Sequence, residues 1–241
     1  MAPSALAIDL GSSTAIVWAD QRGIVGAPSS ALVSRGRITD ADGCATLLTE
    51  LAHRFPQPLP AVDVVVACRP VLSTDDDQEV MRHVIDTAFA PRRTVFIESV
   101  RAAAIGSGAA AGSLLVADVG AELTELALLR EGRVTVARRA DIGTRDLAQG
   151  ATADLLADVV ATHLRGLEGV CPAADLAEAT ARGLLLVGDG ADHPALPRAL
   201  SEALDMRIHR TPEPRAAALN GAAQAARSLL RHPALSRAAA A

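Results

Sequence analysis

Tyrosine is missing from this chain, and the other aromatics are one tryptophan and three phenylalanines. Because half the residues are nonetheless hydrophobic, the core must be built from alanine, valine, leucine and isoleucine. The same scarcity removes the aromatic platforms on which nucleobases stack. No cluster of basic residues replaces them, and the formal net charge is −5, so nucleic-acid binding is excluded as a reading. Lysine is also absent, since all 23 basic residues are arginine; this and the abundance of alanine reflect a coding bias more than a fold. Cys44, Cys68 and Cys171 are too few and too scattered for a disulfide framework or a zinc site, and they fit a reducing cytoplasm. The six histidines show no ligand spacing. No apolar run is long enough to span a bilayer, and the residues after Met1 enter a strand with no basic, apolar leader before it. The alanines that close the chain read as a frayed tail.

What is present is alternation of short apolar strands and amphipathic helices. Residues 5–9, 13–19 and 23–27 read as strands, and 40–54 as a helix that Asp40 or Asp42 would cap. Pro56-Gln57-Pro58-Leu59-Pro60 breaks regular structure. The valine-rich segment 62–68 is a buried strand. Ser73-Thr74-Asp75-Asp76-Asp77 opens a helix to about 89, its acids favoured by the helix dipole rather than gathered for a metal. A strand at 94–98 and a helix at 99–108 follow. Strands are then expected at 113–119, 123–130, 133–140, 183–187 and 206–209. Helices are expected at 145–168, 173–181, 194–204 and 214–231, and Glu131-Gly132 forms a hairpin turn.

This order is the same plan written twice. Leu6-Ala7-Ile8-Asp9-Leu10-Gly11 opens the first half and Leu115-Val116-Ala117-Asp118-Val119-Gly120 the second. Arg101-Ala102-Ala103-Ala104 near the end of one is echoed by Arg215-Ala216-Ala217-Ala218 near the end of the other. Three antiparallel strands followed by crossover units predict a mixed sheet covered by helices in each half.

Five segments, in order along nearly the whole chain, resemble the motifs of the actin-fold ATPase superfamily in its MreB branch. Ala7-Ile8-Asp9-Leu10-Gly11-Ser12-Ser13-Thr14 resembles the first phosphate motif, and Val116-Ala117-Asp118-Val119-Gly120 with its following strand resembles the second. Phe96-Ile97-Glu98-Ser99-Val100-Arg101 is similar to the connecting helix. Leu186-Val187-Gly188-Asp189-Gly190 is similar to the adenosine motif, and Pro212-Glu213-Pro214-Arg215-Ala216 to the second connecting segment. The linkers after Val33 and after Gly169 leave no room for two subdomains of that family, IB and IIB. The chain therefore resembles the short MreB-like forms associated with actinomycetes.

The resemblance implies an α/β, actin-like (ribonuclease H-like) fold, with two duplicated mixed-sheet domains flanking a nucleotide cleft. The first would be residues 1–111 completed by a helix at 214–232, and the second 112–213. It implies ATP and Mg2+ as ligands. Asp9 and Asp118 would hold magnesium through water, and Gly11, Ser12, Ser13, Thr14 and Gly120 would cradle phosphate. Gly188, Asp189 and Gly190 would meet the adenosine. Glu98 stands where the family orients attacking water; the residues alone equally allow a carboxylate capping the helix that follows. Thr124, on the second hairpin's outgoing strand, would help place water.

Two places depart from the pattern. Where the family runs three glycines after the second aspartate, this chain has Gly120-Ala121-Glu122, and Asp189 replaces a glycine in the adenosine motif. A carboxylate about 4 Å from a phosphate charge costs roughly 4 kcal/mol at an effective dielectric near 20. The expectation is thus an MreB-like cytoskeletal or accessory protein, linked to cell shape or cell-wall synthesis, with a degenerate site and weak or absent ATP binding, at most a weak ATPase. A functional, ATP-dependent polymerising ATPase and a chaperone-like adaptor of the EutJ or DnaK kind remain alternatives. Expected partners are a second copy, another MreB-like protein or the shape machinery. Any membrane contact would be peripheral, through Phe55 and Leu59 at the proline loop, although packing of that loop on the core is the preferred reading.

Overall fold

A computed structural model describes residues 4–231, and the chain divides into two compact units. Among the described residues the first unit holds 4–69, 73–97 and 219–231, and the second 70–72 and 98–218. The closing alanines and the expected helix end at His232 lie outside the described residues.

The first unit is built on a five-stranded sheet. Its strands are β1 (Ala5–Leu10), β2 (Thr14–Ala19), β3 (Gly23–Pro28), β6 (Val64–Arg69) and β7 (Arg93–Glu98), in the order β3-β2-β1-β6-β7. β1 pairs antiparallel with β2 and parallel with β6, so the central strand is also the one that carries Asp9. A two-residue pair, β4 (Val33–Ser34) and β5 (Arg37–Ile38), fills the short linker that sequence reading left without structure.

Two helices cover this sheet, α1 (Ala41–His53) and α2 (Asp75–Phe89). The Asp40 carboxylate caps α1 by accepting from the Gly43 N–H at 2.8 Å. Thr74 caps α2, and Asp77 completes a capping box, so the acidic run does the helix-starting work expected of it. Leu48, Leu51, Val84 and Ile85 from these helices are fully buried with Leu6, Ile8, Val17 and Val65 of the sheet. Each such side chain contributes about 1.5–3 kcal/mol by leaving water. Phe55 is buried in the same cluster, with Leu59 packed against it, so the proline loop lies on the core. Helix α8 (Ala217–Leu230) joins this unit late in the chain. Its Arg227 lies over the Trp18 ring and 3.2 Å from an Asp20 oxygen.

The second unit repeats the sheet: β8 (Ser113–Val119), β9 (Thr124–Arg130), β10 (Arg133–Ala140), β11 (Leu184–Val187) and β12 (Ile208–Arg210), in the order β10-β9-β8-β11-β12. β8 pairs antiparallel with β9 and parallel with β11, as β1 does with β2 and β6. Glu131 and Gly132 both take positive φ, the primed turn that suits the twist of a tight hairpin. Helices α5 (Ala153–Arg165), α6 (Ala173–Arg182) and α7 (Leu196–Leu204) bury Leu156, Val160, Ala179 and Leu200 against Leu115, Leu126 and Leu186.

One expectation needs correction. The helix expected over 145–168 is broken: α4 (Thr144–Leu147) is one turn, and α5 starts anew where Thr152 accepts from the Leu155 N–H. Gly150, with a φ of 102°, turns the chain between them. Helix α3 (Ser99–Gly106) falls in the second unit, where it lies against β8 and β9. Among the described residues, no helix is long and apolar enough to cross a membrane.

Candidate functional site

The two halves place their aspartates in one and the same local frame. Asp9 faces Ile16 across the β1–β2 ladder, one pair before the strand ends at Leu10; Asp118 faces Glu125 across β8–β9, one pair before Val119. Each strand then turns at a glycine whose N–H donates across the turn. Gly11 donates to the Thr14 carbonyl at 3.1 Å, and Gly120 to the Leu123 carbonyl at 2.8 Å. The repetition seen in the sequence is therefore a repetition of backbone hydrogen bonding.

In both turns the carbonyl groups are engaged from the protein side. In the first unit the Ser29 hydroxyl donates to the Gly11 carbonyl at 2.6 Å, and the Ser29 N–H donates to the Ser13 carbonyl at 3.1 Å. Ser12 is buried, and its hydroxyl accepts from the Gly36 N–H at 3.4 Å; Thr14 is exposed. In the second unit the Thr144 N–H donates to the Gly120 carbonyl at 2.9 Å, and the Arg145 N–H to the Ala121 carbonyl at 2.8 Å. Holding carbonyl dipoles back in this way is what a turn needs if it is to offer N–H groups to an anion.

The start of α4 lies directly on the second turn. A β-carbon on Gly143 would come within 2.5 Å of the Ala121 carbonyl carbon and the Gly120 oxygen, so only glycine fits. Its N–H donates to the Asp146 carboxylate at 2.8 Å, which closes the helical turn. Arg145 then reaches back to Glu122, and the two side chains form a direct ion pair. The acid introduced into the glycine run is thus met by a base 23 residues later.

The third candidate segment joins the same place. Gly188 follows β11 with a φ of 79°, and a β-carbon there would lie 2.3 Å from the Asp118 Oδ1. A β-carbon on Gly190 would lie 2.6 Å from that of Val119. Residues 188–190 therefore pack against the end of β8, where Asp118 begins the turn. Asp189 opens a single 3-10 turn, Asp189–Asp192, and its Oδ1 is 3.0 Å from the Nε of Arg215, which also lies 3.3 Å from Asp192. Both acids that depart from the glycine pattern are accordingly paired with arginines of their own unit.

The remaining expected residues have mixed surroundings. Thr124 is fully buried, and its hydroxyl donates to the Ile142 carbonyl at 2.7 Å. Its neighbour Glu125 is also buried and accepts from the Val71 N–H at 2.5 Å. Glu98 precedes α3 without capping it: no side-chain hydrogen bond to the helix start is formed. Among the described residues, no group of three His, Cys, Asp or Glu side chains stands ready to hold a metal directly. Sequence reading missed Gly143, Arg145 and the pairing role of Arg215. The signal for the first two was a Gly-Thr-x-Asp helix start placed just after a hairpin, which reads as a cap once the long helix is seen to be two.

No protein-family model matches this chain, and none of the curated proteins does. Solved structures do. MreB5 of Spiroplasma citri bound to ADP is similar at a TM-score of 0.80 and 13% identity, over 95% of this chain and 98% of that one. The same protein bound to AMPPNP gives 0.77 and 14%, over 95% and 97%. The ethanolamine utilization protein EutJ of Carboxydothermus hydrogenoformans gives 0.68 and 17%, over 92% and 89%. The chain has the actin-like fold.

Proposed function

We propose that this chain is an MreB-like cytoskeletal or accessory protein that binds ATP with magnesium weakly and hydrolyses it slowly or not at all. The observation that carries the reading is the duplicated turn: an aspartate one pair before the strand end, a glycine closing the turn, and carbonyls held back, in both units. The likeness to a protein crystallised with ADP and with AMPPNP supports the same ligand class. In this reading Gly11, Ser12, Ser13, Thr14 and Gly120 line the phosphate, the N–H groups of Gly11 and Gly120 closing their turns and other N–H groups of the turns donating to it. Asp9 and Asp118 hold magnesium through water, and Gly188, Asp189 and Gly190 adjoin the nucleoside. Bound ATP and magnesium would supply the phosphoanhydride and its charge compensation. The chain's own part is to orient phosphate through backbone N–H groups and, through Glu98, to orient water. The buried hydroxyl of Thr124, committed to Ile142, serves the shape of the second hairpin and acts on water only through it.

Weak binding is expected because Ala121 and Asp189 crowd two close backbone approaches that the family leaves to glycine. A binding free energy of about 5–6.5 kcal/mol corresponds to a dissociation constant of tens to hundreds of micromolar. Calorimetric titration with ATP and magnesium tests this. Binding in that range that is lost in both Asp9→Ala and Asp118→Ala supports the reading, and no heat at millimolar ATP sinks it. Association with a second copy or with shape machinery is read by sedimentation with and without ATP. The likeness to EutJ keeps an adaptor role as a second reading, favoured if ATP leaves sedimentation unchanged.

A further inference from the structure

We propose that Arg145 is the residue that makes the second hairpin able to accept a phosphate, by cancelling the charge of Glu122 from a position fixed by the backbone. The inference rests on the nucleotide reading above and goes beyond it: it assigns a role in phosphate affinity to a residue outside the hairpin.

The argument starts with how Arg145 is placed. Its own N–H is bonded to the carbonyl of Ala121, the residue just before Glu122, and the preceding N–H is bonded to Gly120. Gly143 permits this approach because any side chain there would collide with the turn. Asp146 locks the helical turn that carries Arg145 by accepting from the Gly143 N–H. An ordinary surface ion pair loses much of its value to the entropy of two free side chains. Here the backbone of both partners is already joined, so less freedom is lost when the side chains meet. The pair is also shielded: the Glu122 side chain is 15% exposed and that of Arg145 34%.

The consequence is electrostatic. Alone, Glu122 would present a full negative charge at the turn, and its repulsion of a polyphosphate would act at short range in a partly desolvated place. Paired with Arg145, Glu122 presents a dipole in place of a bare charge. The guanidinium is also a fork with several N–H donors, a shape suited to carboxylate and phosphate oxygens. Glu122 thus need not mark a site closed to nucleotide; the sequence departure and its compensation are both present, separated by 23 positions.

The test is calorimetric titration with ATP and magnesium at fixed ionic strength on the full chain and on Arg145→Gln, Arg145→Ala, Glu122→Gln and the double variant Arg145→Gln with Glu122→Gln. Melting curves confirm that each is folded; Arg145→Gln keeps the side-chain length should Arg145→Ala unfold. Loss of Arg145 is expected to weaken ATP binding by about tenfold or more, by unmasking one charge near phosphate. Glu122→Gln is expected to bind at least as tightly as the native chain. The double variant is expected to recover to within about threefold of Glu122→Gln, since with no carboxylate there is nothing to cancel. A folded double variant that stays as weak as Arg145→Gln overturns the proposal, because Arg145 then acts by holding α4. Unchanged affinity in Arg145→Gln overturns it too. If neither the native chain nor any variant binds at millimolar ATP, the nucleotide reading itself falls, which is a separate and recognisable outcome.

Discussion

The hairpin after Asp9 and the hairpin after Asp118 share one hydrogen-bond plan and realise it with different chemistry. In the first, the turn is made of small polar residues, and a single serine, Ser29, holds its carbonyls from the neighbouring segment. In the second, Ala121 and Glu122 stand where the first has Ser12 and Ser13, and a whole helical turn is brought in to hold the carbonyls and meet the charge. The difference teaches that a duplicated backbone can tolerate a charged intrusion if a second element is packed onto it. It also shows where the cost sits. The second hairpin depends on Gly143 and Gly188 having no side chain, whereas at the register position of Gly188 the first sheet continues with Arg69.

The comparison can be broken most forcefully at the two cores. Leu48 and Leu156 are fully buried on the covering helices of the first and second units. Leu48→Ala and Leu156→Ala should each cost about 2–5 kcal/mol. Trp18, the only tryptophan, belongs to the first unit. Leu48→Ala should therefore shift the denaturant transition seen by Trp18 fluorescence, and Leu156→Ala should shift far-UV circular dichroism more than Trp18. Equal shifts of Trp18 in the two variants would show that the halves unfold as one body.

A smaller effect sharpens the contrast between the hairpins. Gly188→Ala forces a side chain into a left-handed conformation and against the Asp118 carboxylate. It should cost roughly 2–4 kcal/mol, through backbone strain and overpacking together. A thermal midpoint within a degree of the native protein would mean that the Asp118 turn is softer than its packing suggests.

The smallest expected effect is one of pH, and it is confined to the second unit. Burial, followed by the nearby Arg138 charge, holds the His163 imidazole below its ordinary value of 6.5, and its Nε2 is buried with no hydrogen-bond partner among the described residues. The folded state then binds fewer protons than the unfolded chain as pH falls through that value, so stability declines on the acid side of about 6.5. Comparing melting midpoints at pH 7.5 and 5.5 in the native protein and His163→Leu isolates this share from that of the carboxylates. A decline of the same steepness in both would remove His163 as its cause.

Much of this was legible along the chain, for reasons visible in particular residues. The strand pattern Leu-x-Ile-Asp-x-Gly and its echo named both turns, because a strand alternates faces and a glycine must follow where the ladder closes. Asp40 and Thr74 announced helix starts through side chains that bond locally. What was misread involved contacts far apart in sequence. The apolar spacing of Leu147, Leu155, Val159 and Leu164 suits one continuous helix, but α4 is drawn onto the Gly120 turn and Gly150 turns the chain before α5.

Glu122 and Asp189 show the division most plainly. By itself the sequence determined that each half would build a mixed sheet with an aspartate at the mouth of a glycine turn, because periodicity and local hydrogen bonding act within a few residues. It determined too that two acids would interrupt a glycine pattern. Tertiary structure alone decided what those acids are worth. Whether a carboxylate repels or is cancelled depends on the charge beside it in space, and Arg145 and Arg215 reach their partners only after the chain has folded back across more than twenty residues.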